Sequence, residues 1–339
     1  MRRIVSLAIL VSLLLCGCAS LQKVEQKQYT ATFLTLFDTV TTIVGHAGSE
    51  EAFKETAKQI HDDLQVYHQL FDIYNDYEGV NNLKTVNDQA GIAPVKVDKA
   101  IIDLLLHCRR YYELTDGRVN VAMGSILQLW HHARDNGVRD PVNAALPDMA
   151  ELNQAAEHIR LEEIVIDEEA STVYIPDPHM SLDVGAIAKG WATQRAAEKA
   201  PAGMLISVGG NVCATGLKQG EHPWVIGIQD PDGGDYLHTI YVTDQCVVTS
   251  GDYQRTYTVD GKAYHHIIDP DTRMPAAFWR SVSVVCADSA LADALSTALF
   301  LLPYEQGLEL AEKCGAEALW VDGEGNEFMT PGFESIMRT

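Results

Sequence analysis

Residues 181–190 read SLDVGAIAKG and predict a strand ending at a carboxylate, a glycine turn and the first turns of a helix. The amides that begin such a helix, and the positive end of its dipole, point towards the turn and suit a phosphate. The stretch is not a P-loop, because Lys189 precedes Gly190 rather than following it. On these residues alone, a plain strand–helix corner without a ligand remains an alternative.

The N-terminus has the pattern of a bacterial lipoprotein signal. Arg2 and Arg3 precede an apolar run, residues 4–15, which is too short to span a bilayer as a mature helix. The run ends in LCGC, residues 15–18, which fits a lipobox. We therefore predict a signal peptide over residues 1–17, a lipidated Cys18 and a tether over residues 18–30. The alternative is an ordinary signal peptide with an incidental Cys18.

Such a protein is expected to be anchored in a membrane through its lipid and to face the periplasm or the cell exterior. Removing the signal takes Arg2 and Arg3 from the 25 basic residues, leaving 23 against 47 acidic ones and a net charge of −24. A surface this acidic repels nucleic acid, so no nucleic-acid partner is expected.

Five cysteines remain after Cys16 leaves and Cys18 is lipidated: Cys108, Cys213, Cys246, Cys286 and Cys314. They show no CxxC spacing, and an odd number leaves at least one unpaired. We interpret them as buried small residues rather than metal ligands or nucleophiles. The sequence leaves their disulfide pairing open.

The fold class predicted for residues 31–339 is α+β, with two interleaved lobes, mixed but largely antiparallel sheets, and flanking helices. Apolar spacing of three and four residues predicts helices, over 51–74, 99–114, 147–159, 289–302 and 304–314. Short Val- and Ile-rich runs predict strands, over 33–44, 164–166, 172–175, 205–208, 224–228, 240–242, 256–259, 281–286 and 318–321.

Asp293 and Thr297 stand four residues apart and share one face of a predicted helix, beside the small residues Ala290 and Ala294. Two solvent-facing polar residues are the plain interpretation. Small neighbours leave room for an ion, however, and a carboxylate with a hydroxyl suits Mg²⁺. We favour the metal site.

Two further segments could carry chemistry. His265 and His266 precede a predicted turn at residues 269–271, whereas His131 and His132 have no such context and are interpreted as surface residues. Ser250, in the sequence TSGDY, lacks the GxSxG context of a serine nucleophile.

These blocks follow one another in an order that resembles the ApbE-type FAD:protein FMN transferases. The blocks are 181–190, Gly209-Gly210-Asn211, 249–253, 265–270 and 293–297. Three upstream segments extend the likeness: 37–39, 82–87 and 115–125. Two positions depart from the family pattern. Arg118-Val119-Asn120 replaces the usual Ala-Phe-Asp, which puts the flavin contacts there in doubt, and Arg273 replaces a Gly after the Pro-x-Thr turn.

The resemblance implies roles for individual residues. Asp293, Thr297 and the carbonyl of Ala186 would bind Mg²⁺, and His266 would be the general base, since a neutral imidazole suits that task near pH 7. The residues implied to contact FAD are Asp183, Lys189, Ile268, Asn120, Ser250 and Gly251. For Lys189 the alternative is an ordinary helix lysine.

The implied reaction is Mg²⁺-dependent transfer of FMN from FAD to a threonine hydroxyl of a membrane redox subunit, with release of AMP. With water in place of the threonine, the same site would be an FAD pyrophosphatase giving FMN and AMP. A third possibility is a lipoprotein that binds FAD without chemistry. The sequence does not separate transferase from hydrolase, because the nucleophile comes from outside the chain.

Overall fold

The computed structural model describes residues 26–338, so the predicted signal peptide and Cys18 lie outside the described residues. Within that range the fold is α+β, as predicted, and every named strand pairs antiparallel with its neighbours. None of the described helices is both long and apolar enough to cross a membrane.

An eight-stranded antiparallel sheet forms the centre of the fold. Its strands, in spatial order, are β1 (Lys27–Leu36), β2 (Thr39–Ala47), β6 (Met204–Val208), β7 (Asn211–Thr215), β10 (Cys246–Gly251), β13 (Ser281–Cys286), β14 (Glu317–Val321) and β15 (Glu327–Met329). The sheet therefore joins strands from both ends of the chain, which interleaves the two predicted lobes.

Three smaller sheets complete the strands. They comprise β3 (Val95–Lys96) with β5 (Thr172–Tyr174) and β4 (Val165–Asp167), β8 (Trp224–Gln229) with β9 (Tyr236–Val242), and β11 (Tyr257–Val259) with β12 (Lys262–Tyr264). The predicted hairpin near residues 164–175 is thus confirmed.

The described helices are α1 (Glu50–Phe71), α2 (Leu83–Asp88), α3 (Lys99–Leu114), α4 (Gly124–Arg139), α5 (Met149–Ala155), α6 (Ala188–Lys199), α7 (Ser289–Phe300), α8 (Tyr304–Lys313) and α9 (Phe333–Ile336). Short 3-10 turns at Pro141–Asn143, Ala156–His158 and Leu161–Glu163 connect them. Strong apolar periodicity makes α1 and α3 predictable almost to the residue. The helix predicted over 147–159 is shorter, because a 3-10 turn replaces its second half.

Helix α7 packs against β10 and β13 on one side and against α6 on another. The helix is buried on nearly all faces, and its buried residues are mostly Ala, Leu and Ser. Leu291 is only partly buried, whereas Asp293 is 4% exposed. The plain interpretation of Asp293 as solvent-facing is therefore wrong.

The N-terminal segment differs from its prediction. The single strand expected over 33–44 is a hairpin, in which Phe37 and Asp38 turn with φ angles of 53° and 52°. Because neither residue is Gly, the turn has no sequence signal of the usual kind. Strand β1 begins at Lys27, so residues 27–30 of the predicted tether belong to the sheet.

Three cysteines lie side by side across the sheet. Cys213 on β7 faces Cys246 on β10, and Cys246 in turn faces Cys286 on β13. Cys213 and Cys246 form a disulfide, while Cys108, Cys286 and Cys314 are unpaired. The interpretation of these residues as buried is confirmed for four of them, but two of the four form a cross-link.

Removing the disulfide is expected to destabilise the protein. The bond closes a loop between residues 33 apart, and losing such a cross-link frees entropy in the unfolded chain worth roughly 2–4 kcal/mol. We expect the Cys213→Ala/Cys246→Ala double variant to lower the free energy of unfolding by about that amount in urea titrations. Cys314→Ala, which removes an unpaired and partly exposed thiol, is the control. Equal unfolding midpoints for the double variant and wild type would contradict this expectation.

Candidate active site

A cavity of about 330 Å³ lies where four parts of the chain meet. These are the turn before α6, the exposed edge of α7, the end of β10 and residues 266–268. The 37–39 hairpin turn and residues 72–74 complete the wall. The volume lies in the range of small-molecule sites, and the predicted residues Asp183, Lys189, His266 and Asp293 all line it.

The contact between α6 and α7 organises one side of the cavity. The Gly190 amide donates a hydrogen bond of 2.8 Å to Oδ2 of Asp293. A side chain on Gly190 would occupy the space of the Ser289 carbonyl and of Asp293 Cβ, so only glycine permits this approach. Burial raises the pKa of the Asp293 carboxyl, against the opposing effects of Lys189 and the Gly190 amide.

The three oxygens predicted as metal ligands all line this cavity. Within residues 26–338, only one carboxylate oxygen of Asp293 accepts a hydrogen bond, and the Ala186 carbonyl and the Thr297 hydroxyl form none. The Gly190 amide would bond to the Ala186 carbonyl in a regular helix turn, but it bonds to Asp293 instead. A buried carboxylate beside two unbonded neutral oxygens fits a hard cation such as Mg²⁺.

No group of three or more His, Cys, Asp or Glu side chains within residues 26–338 is placed to hold a metal ion. A cation at Asp293 would therefore have one carboxylate ligand, and water or phosphate oxygens would complete its coordination. That arrangement is usual for Mg²⁺ in phosphoryl-transfer sites.

Asp183 and Lys189 occupy the turn as the sequence predicts. Asp183 Oδ1 accepts a hydrogen bond of 2.9 Å from the Gly185 amide, which fixes the turn. Lys189 Nζ lies 3.4 Å from the Gly185 carbonyl oxygen and 3.9 Å from Asp293 Oδ2. The ammonium group therefore lies next to the candidate cation site, where it can neutralise phosphate charge.

His266 has the geometry of a general base. Its Nδ1 lies 3.2 Å from the carbonyl oxygen of Gln254. A carbonyl only accepts hydrogen bonds, so Nδ1 carries the proton and Nε2 presents its lone pair. Burial, followed by the nearby charges of Arg255, His265 and Lys189, lowers the pKa of His266 to about 3, against the opposing effect of the Gln254 carbonyl.

His265 has a different role from its neighbour. Its Nε2 donates to the Ala276 carbonyl over 2.9 Å, and its Nδ1 accepts from the Ile267 amide over 3.2 Å. The ring also packs edge-on against Phe300. With both nitrogens bonded, His265 supports the loop that carries His266.

The remaining predicted flavin contacts divide into two groups. Asn120, Ser250 and Ile268 line the cavity, whereas Gly251 does not. A side chain on Gly251 would overlap the Tyr253 ring, so this glycine allows Tyr253 to pack. The structure therefore does not bring Gly251 to the site.

The polar groups of Asn120 and Ser250 are largely bonded within the protein. Asn120 Nδ2 donates to the Ile159 carbonyl and its Oδ1 accepts from the Ala122 amide. Ser250 Oγ lies 2.8 Å from Ser296 Oγ, whose own hydroxyl donates to the Asp293 carbonyl. No histidine contacts Ser250 in the described structure, which agrees with the rejection of a serine nucleophile.

Two cavity residues were missing from the sequence-based site. Tyr74 OH lies 2.9 Å from His131 Nδ1, and both side chains line the cavity. The interpretation of His131 as a surface residue is therefore wrong, although His132 is exposed. The two residues are 57 positions apart, and no local pattern relates them.

The two departures from the family pattern also have structural consequences. Arg118 Nη1 lies 2.7 Å from Asp271 Oδ2 and 3.9 Å from Asp269 Oδ1, so it ties the cavity wall to the 269–273 turn. Arg273 adopts a φ of 62°, the conformation that a glycine would take without strain.

Comparison with known proteins agrees with this fold. The sequence profile of the ApbE family matches residues 35–320. An FAD:protein FMN transferase of Treponema pallidum is 36% identical over 260 residues, 70% of each chain. One from Klebsiella pneumoniae is 32% identical over 254 residues, covering 70% of this chain and 75% of that one. The crystal structure of the ApbE protein from Thermotoga maritima has a TM-score of 0.82 at 30% identity, covering 92% of this chain and all of that one.

The structure is thus an α+β fold with a cavity that combines a buried acid, a lysine at a helix start and a base. This chain belongs to the ApbE family.

The lowered pKa of His266 predicts a pH effect on stability. The folded protein disfavours the imidazolium, so stability is lost as the pH falls below the unfolded pKa of about 6.5. Between pH 7 and pH 5, we expect wild type to lose about 1 kcal/mol more free energy of unfolding than His266→Gln. That value is discounted because the imidazole is partly exposed. Urea titrations at both pH values measure the difference, with His132→Gln as the control, and identical losses would refute the assignment.

The raised pKa of Asp293 predicts a second stability effect. The buried ionised carboxylate costs stability, and this cost develops as the pH rises above the unfolded pKa. In EDTA at pH 7.5, we expect Asp293→Asn to melt at or above the wild-type temperature. Mg²⁺ at ten times its Kd, with AMP present, should stabilise wild type by about 1.4 kcal/mol but not the variant.

Asp288→Asn is the matched control, because it lies in the same helix and preserves the N-cap that Asp288 provides. Equal stabilisation of Asp293→Asn and wild type by Mg²⁺ would place the cation elsewhere.

Proposed function

We propose that this protein transfers FMN from FAD to a threonine hydroxyl of a membrane redox protein, releasing AMP, in a Mg²⁺-dependent reaction. The observation that carries the proposal is the pairing of two features in one cavity. His266 presents an unprotonated Nε2 to the cavity. Asp293 Oδ1, the Ala186 carbonyl and the Thr297 hydroxyl accept no hydrogen bond in the described structure. Binding FAD without chemistry requires neither feature.

The residues define the steps of the transfer. Nε2 of His266 takes the proton from the threonine hydroxyl as its oxygen attacks the phosphorus of the FMN half. A new bond forms between that oxygen and phosphorus, and the bond from phosphorus to the bridging oxygen breaks. AMP leaves with that oxygen, and FMN stays joined to the acceptor by a phosphoester. The proton held by His266 then passes to solvent or to the departing phosphate.

Groups on α7 and at the start of α6 would bind and neutralise the pyrophosphate. Asp293, the Ala186 carbonyl and Thr297 would hold Mg²⁺, which supplies charge neutralisation on the phosphates and on the leaving group. Lys189 adds a positive charge at the start of α6, where amides and the helix dipole also favour an anion. Asp183 holds the turn in the shape that this binding needs.

The predicted N-terminal signal supports the location, and the family resemblance implies the acceptor. Lipidation of Cys18 would anchor the protein on the outer side of a membrane, within reach of membrane redox subunits. The acceptor would approach the open side of the cavity, where His266 remains partly accessible.

The proposal is tested with the full chain in detergent, FAD, Mg²⁺ and a redox subunit that carries a candidate acceptor threonine. We expect a fluorescent flavin band at the acceptor's position on a denaturing gel, abolished by EDTA and by a Thr→Val change in the acceptor. His266→Gln should reduce the transfer rate by roughly 10²- to 10⁴-fold, whereas His132→Gln should leave it unchanged.

Other products would point to the alternatives. AMP and free FMN without a labelled acceptor would identify an FAD pyrophosphatase, in which water replaces the threonine. Bound FAD with neither product would identify a flavin-binding lipoprotein and overturn the proposed transfer.

A further inference from the structure

Three cationic side chains line the cavity: Arg118, Lys189 and Arg255. Arg118 contacts Asp271, and Lys189 lies beside Asp293. Arg255 differs from both, because its guanidinium has no carboxylate within 4 Å and no hydrogen bond to any residue of the described chain. The chain has 47 acidic residues against 25 basic ones, so acidic partners are plentiful. An arginine that lines the cavity without such a partner is therefore free to bind an anionic ligand.

The backbone of Arg255 supports the same conclusion. Its φ angle is 47°, in the left-handed region that is unfavourable for residues with a Cβ atom. Strained non-glycine residues cluster at functional sites, where the strain directs a side chain. Arg255 also directly follows Gln254, whose carbonyl fixes the tautomer of His266. The strained residue is therefore the chain neighbour of the residue whose carbonyl holds the candidate base.

The surroundings of Arg255 place its charge at the edge of the cavity. It is close enough to lower the pKa of His266, after the larger effect of burial. It acts in the same direction on Tyr74 and His131, which lie on the opposite segment of the wall. Arg255 is an exposed residue that lines the cavity, so its guanidinium lies at the solvent-facing edge of the cavity, near groups from separate parts of the chain.

We propose that Arg255 is a catalytic residue that binds the non-bridging oxygens of the phosphoryl group during transfer, on the side from which His266 acts. This inference rests on the proposed function. In phosphoryl transfer the negative charge spreads over the equatorial oxygens, and a planar guanidinium can donate two parallel hydrogen bonds to them. No bond to Arg255 is made or broken, and the proton still passes from the acceptor hydroxyl to His266.

The phosphate would also alter His266 through Arg255. In the free protein, Arg255, His265 and Lys189 all disfavour the imidazolium. An anionic phosphoryl group bound between Arg255 and Lys189 offsets these charges, so the base becomes stronger when substrate is present. Arg255 would then stabilise the transition state and would also help to make His266 a stronger base once substrate is bound.

The test compares Arg255→Gln and Arg255→Lys with wild type in single-turnover transfer of FMN at saturating FAD and Mg²⁺. We expect Arg255→Gln to slow transfer by roughly 10²- to 10³-fold, as loss of a transition-state donor does. Arg255→Lys keeps the positive charge but not the planar guanidinium that donates two parallel hydrogen bonds, so its transfer rate should fall about tenfold. Arg139→Gln, at the exposed end of α4, is the matched control and should transfer at the wild-type rate.

Two further measurements separate catalysis from folding and from binding. Arg255→Gly relieves the left-handed backbone and should melt at or above the wild-type temperature while still losing transfer. FAD affinity, measured by fluorescence titration, should change much less than the rate. Labelled-histidine NMR of Arg255→Gln should show His266 protonating at a higher pH than in wild type.

Several results would overturn the inference. Arg255→Gln that transfers FMN within threefold of wild type excludes a catalytic role. A loss that resides entirely in FAD affinity makes Arg255 a binding group alone, and a lower melting temperature of Arg255→Gly makes it structural. If wild type itself transfers no FMN, the proposed function fails. Transfer at the normal rate by both wild type and Arg255→Gln refutes only the inference about Arg255.

Discussion

At the centre of the structure, the Gly190 amide donates its hydrogen bond to Oδ2 of Asp293 and holds the start of α6 against α7. The two helices approach this closely because position 190 has no side chain. The same bond removes the donor that a regular helix turn would offer to the Ala186 carbonyl. One contact thus buries a carboxylate, frees a neighbouring carbonyl and sets both at the cavity. Replacing Gly190 would disturb the packing and the candidate cation site together.

Burial makes the carboxylate in this contact destabilising, and a bound cation would offset that penalty. The pKa of Asp293 is raised because desolvation outweighs the attraction of Lys189 and the Gly190 amide. A carboxylate that is poorly compensated by protein groups gains most when a cation binds to it. The metal-free fold is therefore less stable near Asp293 than it would be with a neutral side chain. This is a common compromise at functional sites, where binding is favoured at the expense of stability.

The sequence predicts those parts of the site that lie within single elements. The turn at 181–190, the i,i+4 pair Asp293 and Thr297, and His266 before its turn are all local patterns, and all reach the cavity. The hairpin turn at Phe37 and Asp38 was missed because positive φ angles at non-glycine residues leave no compositional trace. The Tyr74–His131 contact and the Cys213–Cys246 bond depend on tertiary pairing between distant segments. No periodicity in the sequence encodes such pairing.

The charges around the cavity explain why a base with so low a pKa can still serve. Before substrate binds, His266 faces Arg255, His265 and Lys189 within a partly desolvated pocket, and its pKa falls to about 3. An imidazole with that pKa is too weak a base near neutral pH, where an efficient general base has a pKa closer to the ambient value. Under the proposed function, a pyrophosphate would bring negative charge to the same cationic groups and offset their part of the shift, while burial, the larger cause, would remain. The base would therefore be stronger when the phosphate is in place, which would couple proton abstraction to the presence of substrate.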